Sequence, residues 1–185
     1  MRNDFENKSL GSFLRLLGSQ AGAPGGGAAA ALTGAGGAAI LEMVSRLNDK
    51  RLGRSSGTTK KAVRLRIRVQ KLIAADAQAF GRIQKAYRLR AKKKALWQKA
   101  LKAGARPPLL ICESCASAAT LVKNERRRTS AWLESDRKEA LILLRAAYDS
   151  ARLNVEVNLK EMRDRAYKNR LKRKLKEWRR KFQRS

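Results

Sequence analysis

Histidine is absent from this 185-residue sequence, and its absence narrows the chemistry available. His is the usual general base at neutral pH and a common zinc ligand, so acid–base work here falls to Asp, Glu, Lys, Tyr or Cys. The two cysteines, Cys112 and Cys115, form a single C-x-x-C with no second pair and no His to complete a metal site. No βαβ pattern surrounds them, so they read as small buried helix residues in a reducing compartment. Two features remain. Asp76 falls on the apolar stripe Val69, Leu72, Ile73, Phe80, Ile83 and Tyr87, where burial raises a carboxyl pKa and fits it to accept a proton or steady a cation. Pro24-Gly25-Gly26-Gly27 opens an Ala/Gly-rich run, and three amides at a helix start, with no Cβ to block approach, suit an anion or a carbonyl. Neither Gly-Lys-Ser/Thr after the glycines nor a strand before them is present, which excludes the known phosphate-loop motifs.

These residues need helices to position them. Leu10, Phe13, Leu14 and Leu17 predict a short amphipathic helix over residues 8 to 18. A helix over 28 to 48 follows the glycine loop, with small residues at Ala31, Gly34, Ala35 and Ala38 that let a neighbouring backbone approach closely. Gly, Ser, Asn and Asp predict a loop over 48 to 59. A long helix spans 60 to 88. A basic stretch, helical from about Lys93, leads to Pro107-Pro108, and another helix covers 108 to 123. The last core helix runs from 135 to 162 with Leu141, Leu144, Tyr148, Ala151 and Val155 inward. Asn154 and Asn158, four apart beside that face, read as cross-links between helices. No strand pattern competes, so the class is all-α, an up-and-down multi-helix bundle that dimerises through helices.

Lys and Arg number 44 against 15 Asp and Glu, a net charge of +29. That surplus points to an anionic partner, a nucleic acid or an acidic surface. It concentrates in residues 160 to 185, where Leu171, Leu175, Trp178 and Phe182 mark a basic amphipathic helix. The stretch from Leu16 to Leu41 carries no charge and is long enough to span a bilayer, but Ala, Gly and Pro24 supply little transfer energy, so no membrane span is expected.

Several landmarks occur in a telling order: Ser-x-x-x-x-Pro-Gly-Gly-Gly (Ser19 to Gly27), Met43-Val44 before a basic loop, Asp-Ala-x-Ala-Phe (Asp76 to Phe80), and Ala86-Tyr87. Gln-x-Ala-Leu (Gln98 to Leu101) then leads to Pro108-Leu109, and Ser135-Asp136 and Leu-Asn-Val-x-Val-Asn-Leu (Leu153 to Leu159) complete the set. Over about residues 8 to 167 the chain resembles the cyclodeaminase/cyclohydrolase family, related to formimidoyltetrahydrofolate cyclodeaminase and bacterial methenyltetrahydrofolate cyclohydrolase. The resemblance implies an all-helical cytoplasmic homodimer acting on a one-carbon tetrahydrofolate, with no further cofactor and no metal. It carries substrate binding onto Pro24, Gly25, Gly26, Gly27, Lys50, Arg51 and Ser135, and catalysis onto Asp76, with Asp136 second. The implied reaction is hydrolysis of 5,10-methenyltetrahydrofolate, or cyclisation of formimidoyltetrahydrofolate with loss of ammonia; a stand-alone domain favours the first. The expected organisation is a helical domain over 1–167 and a basic helical extension over 168–185. The chain departs from the family pattern at Thr129 to Trp132, where Gly-Asn-x-Asn is usual, and at Arg137-Lys138-Glu139. Two alternatives therefore stay open: a member that has lost catalysis, and a polyanion binder acting through its C-terminal helix.

Overall fold

Ser9 starts the first helix by accepting a hydrogen bond from the Ser12 N–H, and α1 (Leu10–Leu17) buries Phe13. The structure, a computed structural model, describes residues 8–183; the outermost parts of both expected segments, 1–7 and 184–185, lie outside the described residues. Helix α2 (Gly26–Leu52) begins inside the glycine run and continues four residues beyond its expected end. The predicted 48–59 loop shrinks because its polar side chains serve the helix ends. The buried Asn48 donates to Glu125 at 3.0 Å, and Asp49 accepts the Ser56 N–H at 3.0 Å and the Thr59 hydroxyl at 2.8 Å. Gly53, at φ 61°, ends α2 in the left-handed conformation that suits glycine.

Helix α3 (Thr58–Arg88) returns alongside α2, and α4 (Lys94–Glu125) follows after a short turn. The break expected at Pro107-Pro108 does not occur. Both prolines are buried inside one continuous helix, so packing overrides a local cost of about 3 kcal/mol or more for an interior proline. One turn of 3-10 helix, Ala131–Leu133, leads into α5 (Glu134–Lys160), and α6 (Arg165–Gln183) closes the chain.

Helices α2 to α5 form the up-and-down bundle, and no strand occurs among the described residues. The small residues of α2 set the spacing. A Cβ on Gly34 would lie 3.0 Å from Cys115 Sγ and 3.3 Å from both Ala147 Cβ and Val69 Cγ1, so Gly34 meets α3, α4 and α5 together. A Cβ on Gly37 would lie 2.9 Å from Leu144 Cγ. Only small residues permit that approach, which explains an apolar run of Ala and Gly in place of Leu. By length and composition α2 is the one described helix fit to cross a membrane, yet it packs against α3, α4 and α5 at the centre of the bundle. Cys112 and Cys115 are free and fully buried on α4, with burial pushing the Cys115 thiol up to about 12.

Helix α6 lies across α4 and α5 and buries Leu171, Leu175 and Phe182. The buried Tyr148 hydroxyl donates to the Leu175 carbonyl, and its ring sits 5.1 Å from that of Phe182. Asp164 caps the helix by accepting the Tyr167 N–H at 2.9 Å and holds Lys102 at 2.7 Å. The basic helix is thus docked on the bundle and begins three residues before the expected boundary.

Candidate active site

A pocket of about 210 Å³ opens at the end of the bundle where α2 starts. Its walls come from the glycine loop, from Asp76, Phe80 and Ile83 on α3, from Gly104 and Pro108 on α4, and from Asn154 and Asn158 on α5. Asp76 and Gly25 to Gly27, read from the sequence as separate features, meet here. Pro24 is buried and is not part of the wall.

Helix α2 has no side-chain cap at Gly25. Its first amides lack intrahelical acceptors, and the Asp76 carboxylate from α3 accepts the Ala28 N–H. The carboxylate thus faces the positive end of the α2 dipole. Burial nevertheless dominates and pushes its pKa up to about 6, the hydrogen bond offsetting only part of the shift. Asp76 has no ion pair among the described residues, although the chain carries 44 Lys and Arg. It is a carboxylate without a resident counter-charge, titrating just below neutrality.

Gly27 is what gives Asp76 this position. A Cβ there would lie 2.3 Å from Asp76 Oδ1 and 2.4 Å from its Cγ and Oδ2, inside any real contact. Gly26 is looser, with Asn154 Nδ2 at 4.0 Å from its Cβ position. Phe80 was expected on the core stripe but is 40% exposed and forms a pocket wall.

The asparagines do not link helices by hydrogen bonds. Asn154 Nδ2 donates to the Ser150 carbonyl at 3.0 Å, and Asn158 Nδ2 donates to the Asn154 carbonyl at 2.8 Å, both within α5. Each amide therefore has its oxygen left to present to the pocket. Their four-residue spacing was visible in the sequence; that they face the glycines was not. Pro108 has no N–H, so the Gly104 carbonyl also lacks its helical donor at this wall.

The remaining candidates sit elsewhere. Lys50 and Arg51 end α2, about 35 Å along the axis from Gly27. Lys50 is exposed, and the Arg51 guanidinium donates to the Arg128 carbonyl. Ser135 and Asp136 open α5, roughly 27 Å from Asn154. Within one chain these four residues are not brought to the Asp76 pocket. Arg51 borders a polar cluster in which the buried Glu125 accepts from Asn48 at 3.0 Å and from Ser56 at 2.8 Å, tying α4 to the α2–α3 turn.

Residues 9–177 match the formiminotransferase-cyclodeaminase family. The chain belongs to that family. It is similar to the methenyltetrahydrofolate cyclohydrolase of Methylorubrum extorquens, with 34% identity over 87% of this chain and 84% of that protein. It is also 29% identical to the formimidoyltransferase-cyclodeaminase of Sus scrofa over 88% of this chain, which spans only 32% of that longer protein. Among solved structures, the formiminotetrahydrofolate cyclodeaminase of Thermotoga maritima superposes with a TM-score of 0.89 at 26% identity, covering 96% of this chain and 91% of the other. The family match extends into α6, consistent with the docking of that helix on the bundle.

Proposed function

We propose that the protein is a folate one-carbon enzyme that hydrolyses 5,10-methenyltetrahydrofolate, working as a cytoplasmic homodimer with no cofactor beyond its folate substrate. One observation carries the reading: an unpaired carboxylate with a pKa of about 6, fixed against the amides that start α2, in a pocket lined by asparagines. The substrate's bridging carbon carries an amidinium cation, which supplies the counter-charge that Asp76 lacks. Asp76 accepts a proton as water adds to that carbon and returns it to the nitrogen as the carbon–nitrogen bond breaks. The second proton, from the added water's remaining hydroxyl, is released as the formyl group forms. The Asn154 and Asn158 oxygens and the glycine amides orient the ring system. A pocket of about 210 Å³ is small for a folate, so the remainder of the substrate projects from its mouth.

The similarity to a cyclohydrolase at 34% identity supports hydrolysis as the first reading. The structural likeness to a cyclodeaminase supports the second, in which N10 attacks the formimino carbon and ammonia leaves. In that reaction Asp76 takes the N10 proton and delivers one to the departing nitrogen. Loss of the near-ultraviolet absorbance of 5,10-methenyltetrahydrofolate tests the first, and ammonia release from formimidoyltetrahydrofolate tests the second. Expected is methenyl hydrolysis above the uncatalysed rate. Ammonia release without it reverses the order, and neither activity from the folded protein removes the enzyme reading.

The dimer is supported by one face of the bundle. Leu32, Gly36, Ile40, Met43 and Leu47 share the outward side of α2 by helical spacing. Beside them on α5, Ile142, Leu153 and Val157 are 64, 56 and 63% exposed. Lys50, Arg51, Ser135 and Asp136 lie at the far end of this same face by their spacing. A two-fold axis near Ala39, the midpoint of α2, sets a second copy's Arg51 level with Gly27 along the helix axis, on the side of the bundle end where the pocket opens. Ile40→Glu is expected to convert a particle of twice 20.6 kDa into one of 20.6 kDa by light scattering. An unchanged mass would place the dimer seam elsewhere.

A further inference from the structure

We propose that the groove between α5 and α6 binds a single-stranded nucleic acid through its phosphate backbone. The groove encloses about 570 Å³, on the opposite side of α5 from Asn154 and Asn158. Besides Arg152, five cations line it: Lys160, Lys168, Lys172, Lys176 and Arg179. None of the five has a carboxylate within 4.0 Å among the described residues. The sole acid in the wall, Glu156, is taken up by Arg152 at 2.6 Å. Leu159 and Leu175 provide an apolar floor.

The arrangement is a row as well as a surplus. Lys168, Lys172 and Lys176 recur every four residues, about 6 Å apart, and Arg179 extends the line to roughly 16 Å. Like charges at that spacing repel and weaken a free helix. Here the helix is held regardless, by buried Leu171, Leu175 and Phe182 and by the Tyr148 hydrogen bond. A pre-formed, unpaired cation row on a rigid support gains most from a linear polyanion, whose binding releases condensed counterions.

The shape chooses among polyanions. A bilayer surface is flat, and interfacial helices hold it with an exposed apolar face. On α6 that face is turned into the bundle, and the cations line a recess. One extended strand enters such a recess; a duplex is too wide. Tyr167 and Trp178 border a separate depression with Arg170 and Lys174, and no aromatic ring lines the groove itself. Base stacking there is absent, so binding is independent of sequence.

The test is fluorescence anisotropy of a 5′-labelled 20-nucleotide oligouridylate with the full chain, titrated at several salt concentrations. Binding is expected to weaken with salt with a log–log slope of about −3.5, from five cations on a single strand. Substituting Lys168, Lys172, Lys176 and Arg179 together by Gln is expected to lower affinity at least tenfold and flatten that slope. A charge-matched control, Gln at the exposed Lys60, Lys61, Arg64 and Lys71 of α3, is expected to stay within threefold of the wild type. Removing repulsion favours α6, so the groove variant should keep its helix content, checked by circular dichroism. Equal losses in the two variants would reduce the effect to net charge and overturn the proposal. So would binding to phosphatidylserine vesicles without binding to the oligonucleotide, or tighter binding of a duplex of the same length.

Discussion

Asp76→Asn is expected to lower turnover of the one-carbon folate by about 10²–10⁴-fold, the range a positioned acid–base group contributes. The folded protein should persist and become more stable. An Asn side-chain oxygen still accepts the Ala28 N–H, so the cap on α2 is kept while the buried charge is removed. The carboxyl has its pKa raised from an ordinary 3.8 to about 6 in the folded protein. Its favourable contribution is therefore complete below pH 3.8 and disappears as pH rises through 6, where the buried carboxylate must be charged. At pH 8 the variant should gain up to about 3 kcal/mol, measured by urea unfolding. The gain should vanish near pH 4. Wild-type kcat/KM should fall as pH drops through 6, because the base becomes protonated, and the variant should lack that limb. A more stable, inactive Asn variant separates a functional carboxylate from a structural cap; an active one makes Asp76 only the cap. A site that costs stability in exchange for chemistry is the expected pattern where activity depends on a buried charge.

The sequence conveyed the helices because their apolar stripes are regular. The same regularity exposed Asp76, an acid where the stripe asks for an apolar residue. The glycine run was legible for a related reason, since it breaks helix propensity at a helix start. What escaped was set by tertiary contacts. Pro107 and Pro108 carry a strong local stop signal, yet the helix continues because both rings are buried in the bundle. Asn48 and Asp49 look like loop residues until Glu125, Ser56 and Thr59 supply partners from distant segments. Asn154 and Asn158 have the spacing of a helix face, but only the position of α2 shows that the face borders a pocket. For Lys50, Arg51, Ser135 and Asp136 the difficulty differs in kind. Their order along the chain is that of the family, but one chain keeps Lys50 and Arg51 about 35 Å from Gly27 and Ser135 and Asp136 roughly 27 Å from Asn154, so only the proposed two-fold arrangement would bring them to the pocket.

Gly27→Ala is expected to reduce turnover at least 100-fold through one added methyl group. Its Cβ would lie 2.3–2.4 Å from three atoms of the Asp76 carboxyl group. Either that group rotates out of the pocket and loses the Ala28 amide, or α3 moves away from α2. Overpacking of this kind costs roughly 1–3 kcal/mol, partly offset by about 1 kcal/mol because Ala favours a helix over Gly. The fold therefore survives while the base is misplaced, and displacements of about 1 Å are enough to cost two orders of magnitude in rate. The adjacent Gly26→Ala is the control. Its Cβ would meet only Asn154 Nδ2 at 4.0 Å, an ordinary contact, so turnover should stay within a few-fold of the wild type. Gly26→Val adds two further methyl groups at the same wall and should abolish ligand binding with helix content largely kept. The contrast between neighbours is the informative result. If Gly27→Ala and Gly26→Ala lose activity equally, the loop acts through its flexibility. If only Gly27→Ala fails, the glycine is there because a carboxylate occupies the space of its side chain.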